Sequence, residues 1–247
     1  MRATINLELK QPIKLPIQYN HIINGAILNW LRNVGENKFI HDEEFKKNVK
    51  NHKLYTFSKL QGKFTMDVKN KKITYYSGVN LLISSYDDKF LSNIVNSLVM
   101  KESMNVLNQE IKIDNIETSL YSVTGEEIRV YTKSPVTVYS TFKEEEKNKT
   151  RYYSPYEKEF SEIIRKNLIN KYKSYYGKLP EDNRFSIELL SRKKPKESVI
   201  IYRGIVIKGW SGEFVMRGSK ELLNLAYQAG IGAKNSQGFG CVELIEN

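Results

Sequence analysis

The tightest constraint on this chain is a change of hydrophobic period that recurs in the same order twice. Residues 2–9, RATINLEL, alternate, with Ala3, Ile5, Leu7 and Leu9 on one face, as a half-buried strand requires. From Tyr19 to Leu31 the spacing becomes helical. Ile22, Ile23, Ala26, Ile27, Trp30 and Leu31 follow the i, i+3, i+4, i+7 rule. Period two then returns in LYTFSK (54–59) and KFTMDV (63–68), read as strands around a turn at Gly62. VNLLISS (79–85) reads as a more buried strand. Asp87 and Asp88 offer an N-cap for a helix striped by Phe90, Leu91, Ile94, Val95, Leu98 and Val99. A strand over 111–118 completes the series.

The second half repeats the order. PVTVYST (135–141) reads as its first strand, and 143–154 as a polar connection. Ser154-Pro155-Tyr156-Glu157 combines a capping box with proline at the first helical position. The helix it starts has Phe160, Ile163, Ile164 and Leu168 on its inner face. RFSIELL (184–190) is a strand and RKKPKES a basic loop. VIIYRGIVIK (199–208) reads as one strand that continues or bends through Gly209 to Arg217. Lys220 to Ala229 is a helix, Gly230 its C-cap, and GCVELI (240–245) the last strand. The expected fold is therefore α+β: two tandem ferredoxin-like, RRM-like units of order β-α-β-β-α-β, with an extra hairpin in the first. The expected division is residues 1–125, carrying the catalytic groups, and 126–247, carrying a glycine-rich loop.

Charge narrows the partners. Lys and Arg number 39 against 28 Asp and Glu, a net charge of +11. Such an excess favours a polyanion, because each neutralised phosphate releases counterions. The single cysteine, Cys241, excludes an internal disulfide and a cysteine-based zinc site, and its apolar strand setting marks it as packing. MRATINLELKQP lacks the apolar core of a signal peptide, and no run of about 18 apolar residues occurs. The expected location is cytoplasmic.

The segment GIGAKNSQGFG (230–240) holds Gly230, Gly232, Gly238 and Gly240. A dinucleotide fingerprint needs a strand before the glycines and a helix after them. Here the helix comes first, and no P-loop pattern is present, so no nucleotide cofactor is expected. A tight turn remains, open to close approach by an RNA backbone, with Lys234, Asn235 and Ser236 toward its phosphates. Three histidines, His21, His41 and His52, all lie in the first quarter of the chain. Histidine beside lysine in a basic chain suits metal-free RNA cleavage: a base for the 2′-OH, an acid for the leaving 5′-oxygen, a cation for the crowded phosphate. Asp42, Glu43 and Glu44 are consecutive and do not converge on one ion, so no metal is expected. Arg192, Lys193, Lys194 and Lys196 form one basic cluster. Lys143, Lys147, Lys149 and Arg151 form another beside Tyr152 and Tyr153, a mixture suited to backbone tracking and base stacking.

KLPIQYNHIINGAILNWL near the N-terminus, HKLYTFSKLQG, SPYEKEFSEII and GIGAKNSQGFGCVEL together resemble the CRISPR-associated repeat-processing endoribonucleases. These form the Cas-six family of the repeat-associated mysterious protein superfamily. The resemblance spans essentially the whole chain. It implies two ferredoxin-like domains with a cleft for CRISPR repeat RNA. It also implies metal-independent cleavage within each repeat, giving a 2′,3′-cyclic phosphate and a 5′-OH. The family's catalytic histidine matches His41, and its lysine before the L-[FY]-T-[FY]-S stretch matches Lys53. Where some members carry a catalytic tyrosine this chain has Leu28; Tyr19, Tyr55 and His52 are the candidates to replace it. The alternative is a non-catalytic repeat-RNA-binding subunit of an effector complex. Either way the chain acts as a monomer or homodimer, with other effector subunits as further possible partners.

Overall fold

In the computed structural model, residues 1–34, 54–101, 103–106, 109–144, 147–190 and 194–245 are described. The elements run β1 (Arg2–Glu8), β2 (Ile13–Pro16), α1 (Asn20–Val34), β3 (Tyr55–Phe57), β4 (Phe64–Asp67), β5 (Lys72–Tyr75), β6 (Val79–Ser85), α2 (Asp88–Val99), β7 (Ser103–Val106) and β8 (Gln109–Ser119). The second half has β9 (Glu127–Thr132), β10 (Tyr139–Glu144), β11 (Lys147–Tyr152), α3 (Lys158–Tyr176), β12 (Phe185–Leu189), β13 (Lys196–Tyr202), β14 (Ile205–Ser211), β15 (Glu213–Gly218), α4 (Lys220–Ala229) and β16 (Val242–Leu244).

Two antiparallel sheets organise these elements. The first has the order β3-β6-β1-β8-β7, the second β12-β15-β9-β16. Numbered within each unit, both place the second, third, first and fourth core strands side by side, so the ferredoxin-like topology occurs twice. In the first sheet Ala3 faces Ile83 and Ile5 faces Leu81 across β1 and β6. The stripe of α1, with Ile23, Ile27, Trp30 and Leu31, packs with these residues and with Leu91, Ile94 and Leu98 of α2 in one core. The second core joins Val130, Phe214 and Met216 to Phe160, Ile164 and Leu168 of α3 and Leu222, Leu223 and Leu225 of α4. Among the described residues no helix is long and apolar enough to cross a membrane.

Several expected elements differ. LYTFSK and KFTMDV do not pair: β3 joins β6, whereas β4 pairs with β5. The first strand of the second unit is β9, EIRVYT, and not 135–141. Ile128 and Val130 turn inward while the charged Glu127 and Arg129, which alternate with them, face out. Residues 136 and 137 make only single bridges, to Trp210 and Ala233. The polar stretch 143–154 is mostly the β10–β11 hairpin. VIIYRGIVIK splits at Arg203-Gly204, both at positive φ (48° and 82°), the turn that a two-residue hairpin demands. The expected box at Ser154–Glu157 is only half made and forms a turn ahead of the helix, in which the Glu157 N–H donates to the Ser154 carbonyl at 3.0 Å. Glu157 Oε2 accepts from the Ser154 N–H at 2.7 Å and Glu157 is itself the N-cap of α3.

Candidate nucleic-acid interface

The glycine-rich loop follows α4, makes one 3₁₀ turn at Asn235–Gln237 and feeds β16. Two glycines show why no side chain fits. At Gly240 (φ 73°) a Cβ would lie 1.9 Å from the Ile231 carbonyl oxygen. At Gly238 (φ 82°) it would meet the Phe57 ring at 2.6 Å and the Asn20 amide at 2.7 Å. Gly238 is therefore a contact point with the first half of the chain.

Beneath the loop, Asn235 is buried. Its Nδ2 donates to the carbonyls of Ile231 and Phe239, each at 3.0 Å. Its Oδ1 accepts from Lys171 Nζ at 2.7 Å, and the same amine donates to Gly230 O at 2.8 Å and Gly232 O at 3.4 Å. Burial pulls the Lys171 amine down to about 7. Asn235 thus points inward and not toward a phosphate, because its amide is consumed in closing the loop. Lys234 and Ser236 remain half-buried at the surface. Lys234 adopts the left-handed conformation (φ 58°), and its Nζ lies 5.2 Å from the centre of the Tyr139 ring at the base of the β10–β11 hairpin.

The loop joins the two halves. Asn20, the first residue of α1, donates to Gln237 O at 2.9 Å and Gly238 O at 3.3 Å. Thr56 of β3 donates to Phe239 O at 2.8 Å. Phe239 itself is buried against Ile200, Tyr202 and Ile207 of the β13–β14 hairpin. Arg2, buried in β1, adds a further tie. It donates to Tyr227 O at 3.0 Å and Val242 O at 2.6 Å, pairs with Glu243 at 3.2 Å and stacks on the Tyr227 ring at 4.1 Å. Sequence reasoning missed Asn20, Arg2 and Lys171. Asn20 and Arg2 are polar residues whose partners lie in the other half of the chain, and Lys171 meets the loop only through the packing of α3, 59 to 64 positions away.

Tyr19 and Tyr55 are both core residues. Tyr55 OH donates to Asn24 Oδ1 at 2.8 Å, its ring stacks on Phe90, and burial drives its pKa well above the ordinary tyrosine range. Tyr19 OH accepts from the Leu60 N–H at 3.0 Å and meets Tyr75 OH at 3.3 Å; burial raises its pKa too. Both hydroxyls are engaged by hydrogen bonds within the protein. His41, His52, Lys53, Arg192 and Lys193 lie outside the described residues. Lys194 is exposed, and Lys196 opens β13. Arg151, on β11, is held by Glu157 at 2.9 Å and lies 4.8 Å from the centre of the Tyr153 ring. Cys241 is buried, and burial pushes its thiol up to about 12, consistent with packing.

Two ferredoxin-like units closed by a glycine-rich loop ahead of the last strand define the repeat-associated mysterious protein class. Within that class the chain belongs to the Cas6 family: the model for the C-terminal part of CRISPR associated protein Cas6 matches residues 113–244. The chain is 27% identical over 251 residues, the full length of both, to a Pyrococcus horikoshii protein named a CRISPR-associated endoribonuclease-like protein, Cas6nc. It is also 27% identical to the Pyrococcus furiosus CRISPR-associated endoribonuclease Cas6, over all of this chain and 91% of that one. The solved structure of the product of a Cas6-related gene from Pyrococcus furiosus matches with a TM-score of 0.84 at 27% identity, over 100% of this chain and 99% of that one.

Proposed function

We propose that this chain binds CRISPR repeat RNA and cuts the precursor once in each repeat without a metal ion. The observation that carries the reading is membership of the Cas6 family together with the intact GIGAKNSQGFG loop. A base takes the 2′-OH proton, O2′ attacks the adjacent phosphorus, and the P–O5′ bond breaks. An acid then supplies the proton to the leaving O5′, giving a 2′,3′-cyclic phosphate and a 5′-OH. His41 serves as the general acid or base and Lys53 stabilises the crowded phosphate charge. Lys234 and Ser236 lie along the RNA backbone. Incubation with the cognate repeat RNA in excess EDTA gives these two product ends, and a 2′-deoxy substitution at the scissile position abolishes them. His41→Ala slows single-turnover cleavage by at least about a hundredfold. Lys234→Ala weakens binding and leaves the chemistry of bound RNA intact. Absence of product at every protein concentration overturns the reading.

A second reading has a specific observation behind it. Leu28 stands where some family members have a catalytic tyrosine, and it packs against the first core. A non-catalytic subunit that holds repeat RNA within an effector complex binds tightly and salt-sensitively, yields no product and is indifferent to the 2′-deoxy substitution.

A further inference from the structure

The two units carry an additional hairpin at the same point of their topology, between the second and third core strands: β4–β5 in the first, β13–β14 in the second. The two hairpins face one another across a groove of about 340 Å³. This size falls within the range of clefts that hold small ligands, about 300–1,000 Å³. Phe64 and Met66 stand on one wall and Val199 on the other, and they keep 50%, 51% and 53% of their surface open to solvent. The groove is also floored by core side chains, including Leu60, Ile73 and Tyr75. It is an open apolar slot in a strongly basic protein.

Two cations line it, Lys59 and Lys196. Desolvation, and after it the charge of Lys196, holds the Lys59 ammonium below the ordinary lysine range. Among the described residues no carboxylate lines the groove between Ile17 and Ile200, and neither lysine joins an ion pair. The nearest acidic residue in sequence, Glu197, is engaged by Lys208 at 3.2 Å on the hairpin itself. Two like charges beside an apolar slot, without a counter-ion, favour a ligand with an anionic group next to a flat apolar face. An unpaired nucleotide has both: a phosphate for the lysines and a base for the aromatic wall.

We propose that this groove is a subsite for one unpaired nucleotide of bound RNA, its base against Phe64 and Met66 and its phosphate between Lys59 and Lys196. The proposal rests on the reading that the chain binds RNA, and it adds a place where a single base is held between the two equivalent hairpins. Ile200, which lines the groove, also packs with Phe239 of the glycine-rich loop, so a base in the groove and a backbone on the loop would share one wall.

The test measures binding of the full chain to cognate repeat RNA and to an unrelated single-stranded oligoribonucleotide. It compares the native protein with Phe64→Ala and Lys196→Gln, both changed at exposed side chains, and with Lys112→Gln as a distant surface control. Phe64→Ala weakens binding about tenfold, within the range measured for loss of one base stack. Lys196→Gln lowers the slope of log K against log salt by about 0.7, one phosphate contact on a single strand. Replacing each unpaired nucleotide in turn by an abasic one identifies a position whose loss costs the native protein tenfold and costs Phe64→Ala nothing further. Unchanged affinity and salt slope in both variants, while the native protein binds repeat RNA, overturns the subsite and leaves the family reading standing. Losses on the unrelated oligonucleotide, with no native binding to repeat RNA, support the subsite and overturn repeat recognition.

Discussion

Lys171 of α3 donates to Asn235 Oδ1 at 2.7 Å beneath the glycine-rich loop, where among the described residues no carboxylate is one of its hydrogen-bond partners. The lysine closes the loop by supplying protons to three oxygens. Removing it leaves Gly230 O and Asn235 Oδ1 without that donor, and an unsatisfied buried acceptor costs about 1–3 kcal/mol. Lys171→Met is therefore expected to lower the unfolding free energy by about 2 kcal/mol near pH 8 in urea titrations. The pH dependence has a definite sign. Burial lowers the folded-state pKa to about 7, below the unfolded lysine value of about 10.4. Between these values the unfolded chain binds the extra proton, so this group makes stability rise with pH, by on the order of 1 kcal/mol per unit. Below about pH 7 both states are protonated and the slope vanishes. Subtracting the Lys171→Met profile from the native one isolates that rise; a flat difference between pH 7 and 10 contradicts it.

The loop's backbone path leads to a second expectation, best read by contrast. Gly240 and Gly177 have nearly the same φ, 73° and 72°. An added Cβ at Gly177, the C-cap of α3, meets nothing within 4 Å, whereas at Gly240 it meets the Ile231 oxygen at 1.9 Å. Gly177→Ala carries only the left-handed penalty, about 1–2 kcal/mol. Gly240→Ala adds a backbone collision in a fully packed turn and is expected to lose more than about 4 kcal/mol or fail to accumulate as folded protein. Parallel thermal melts of the two variants separate strain from collision.

The path from sequence to fold was legible where one face of an element is buried by its own unit. The alternation of β1, the stripes of α2 and α4 and the Asp87 cap are local signals. Asp87 accepts from the N–H groups of Lys89 and Phe90 as its position suggests. β9 was lost because PVTVYST beside it alternates more visibly, although Val136 and Val138 are buried by other parts of the chain. The turn at Arg203-Gly204 was lost because both flanking strands are apolar and Arg is an unusual first residue for positive φ. In the site, the glycines announced a tight turn, but the direction of Asn235 did not follow. A short amide can face a phosphate or bridge two carbonyls, and only the arrival of Lys171 from α3, 64 positions away, decides it.

Arg2 gives a third prediction. Its guanidinium carries bonds to the carbonyls of Tyr227 and Val242 and a charge pair with half-exposed Glu243. Arg2→Met keeps the volume but leaves both carbonyls without this donor, and is expected to cost about 2–4 kcal/mol. Glu243→Gln, which leaves the carbonyl bonds in place, costs about 1 kcal/mol or less. If both substitutions cost the same in denaturant unfolding, the ion pair and not the carbonyl bonding is what joins β1 to the second half.

Tyr55 provides the last. Its hydroxyl donates to Asn24 Oδ1, and Asn24 Nδ2 in turn donates to Tyr202 OH at 2.8 Å, so one chain of bonds links β3, α1 and β13. Tyr55→Phe removes the first bond and leaves the ring stack on Phe90 in place. The expected loss is about 1 kcal/mol, or about 2–4 °C in melting temperature for a chain of this size. This hydroxyl is buried, committed to Asn24 and kept protonated by burial, which makes it a weak acid removed from solvent. Single-turnover cleavage by Tyr55→Phe is therefore expected to stay within about twofold of native once the protein is folded, because the bond it loses is structural. A hundredfold loss of rate without a change in melting temperature would make Tyr55 the group that stands in for the tyrosine replaced by Leu28.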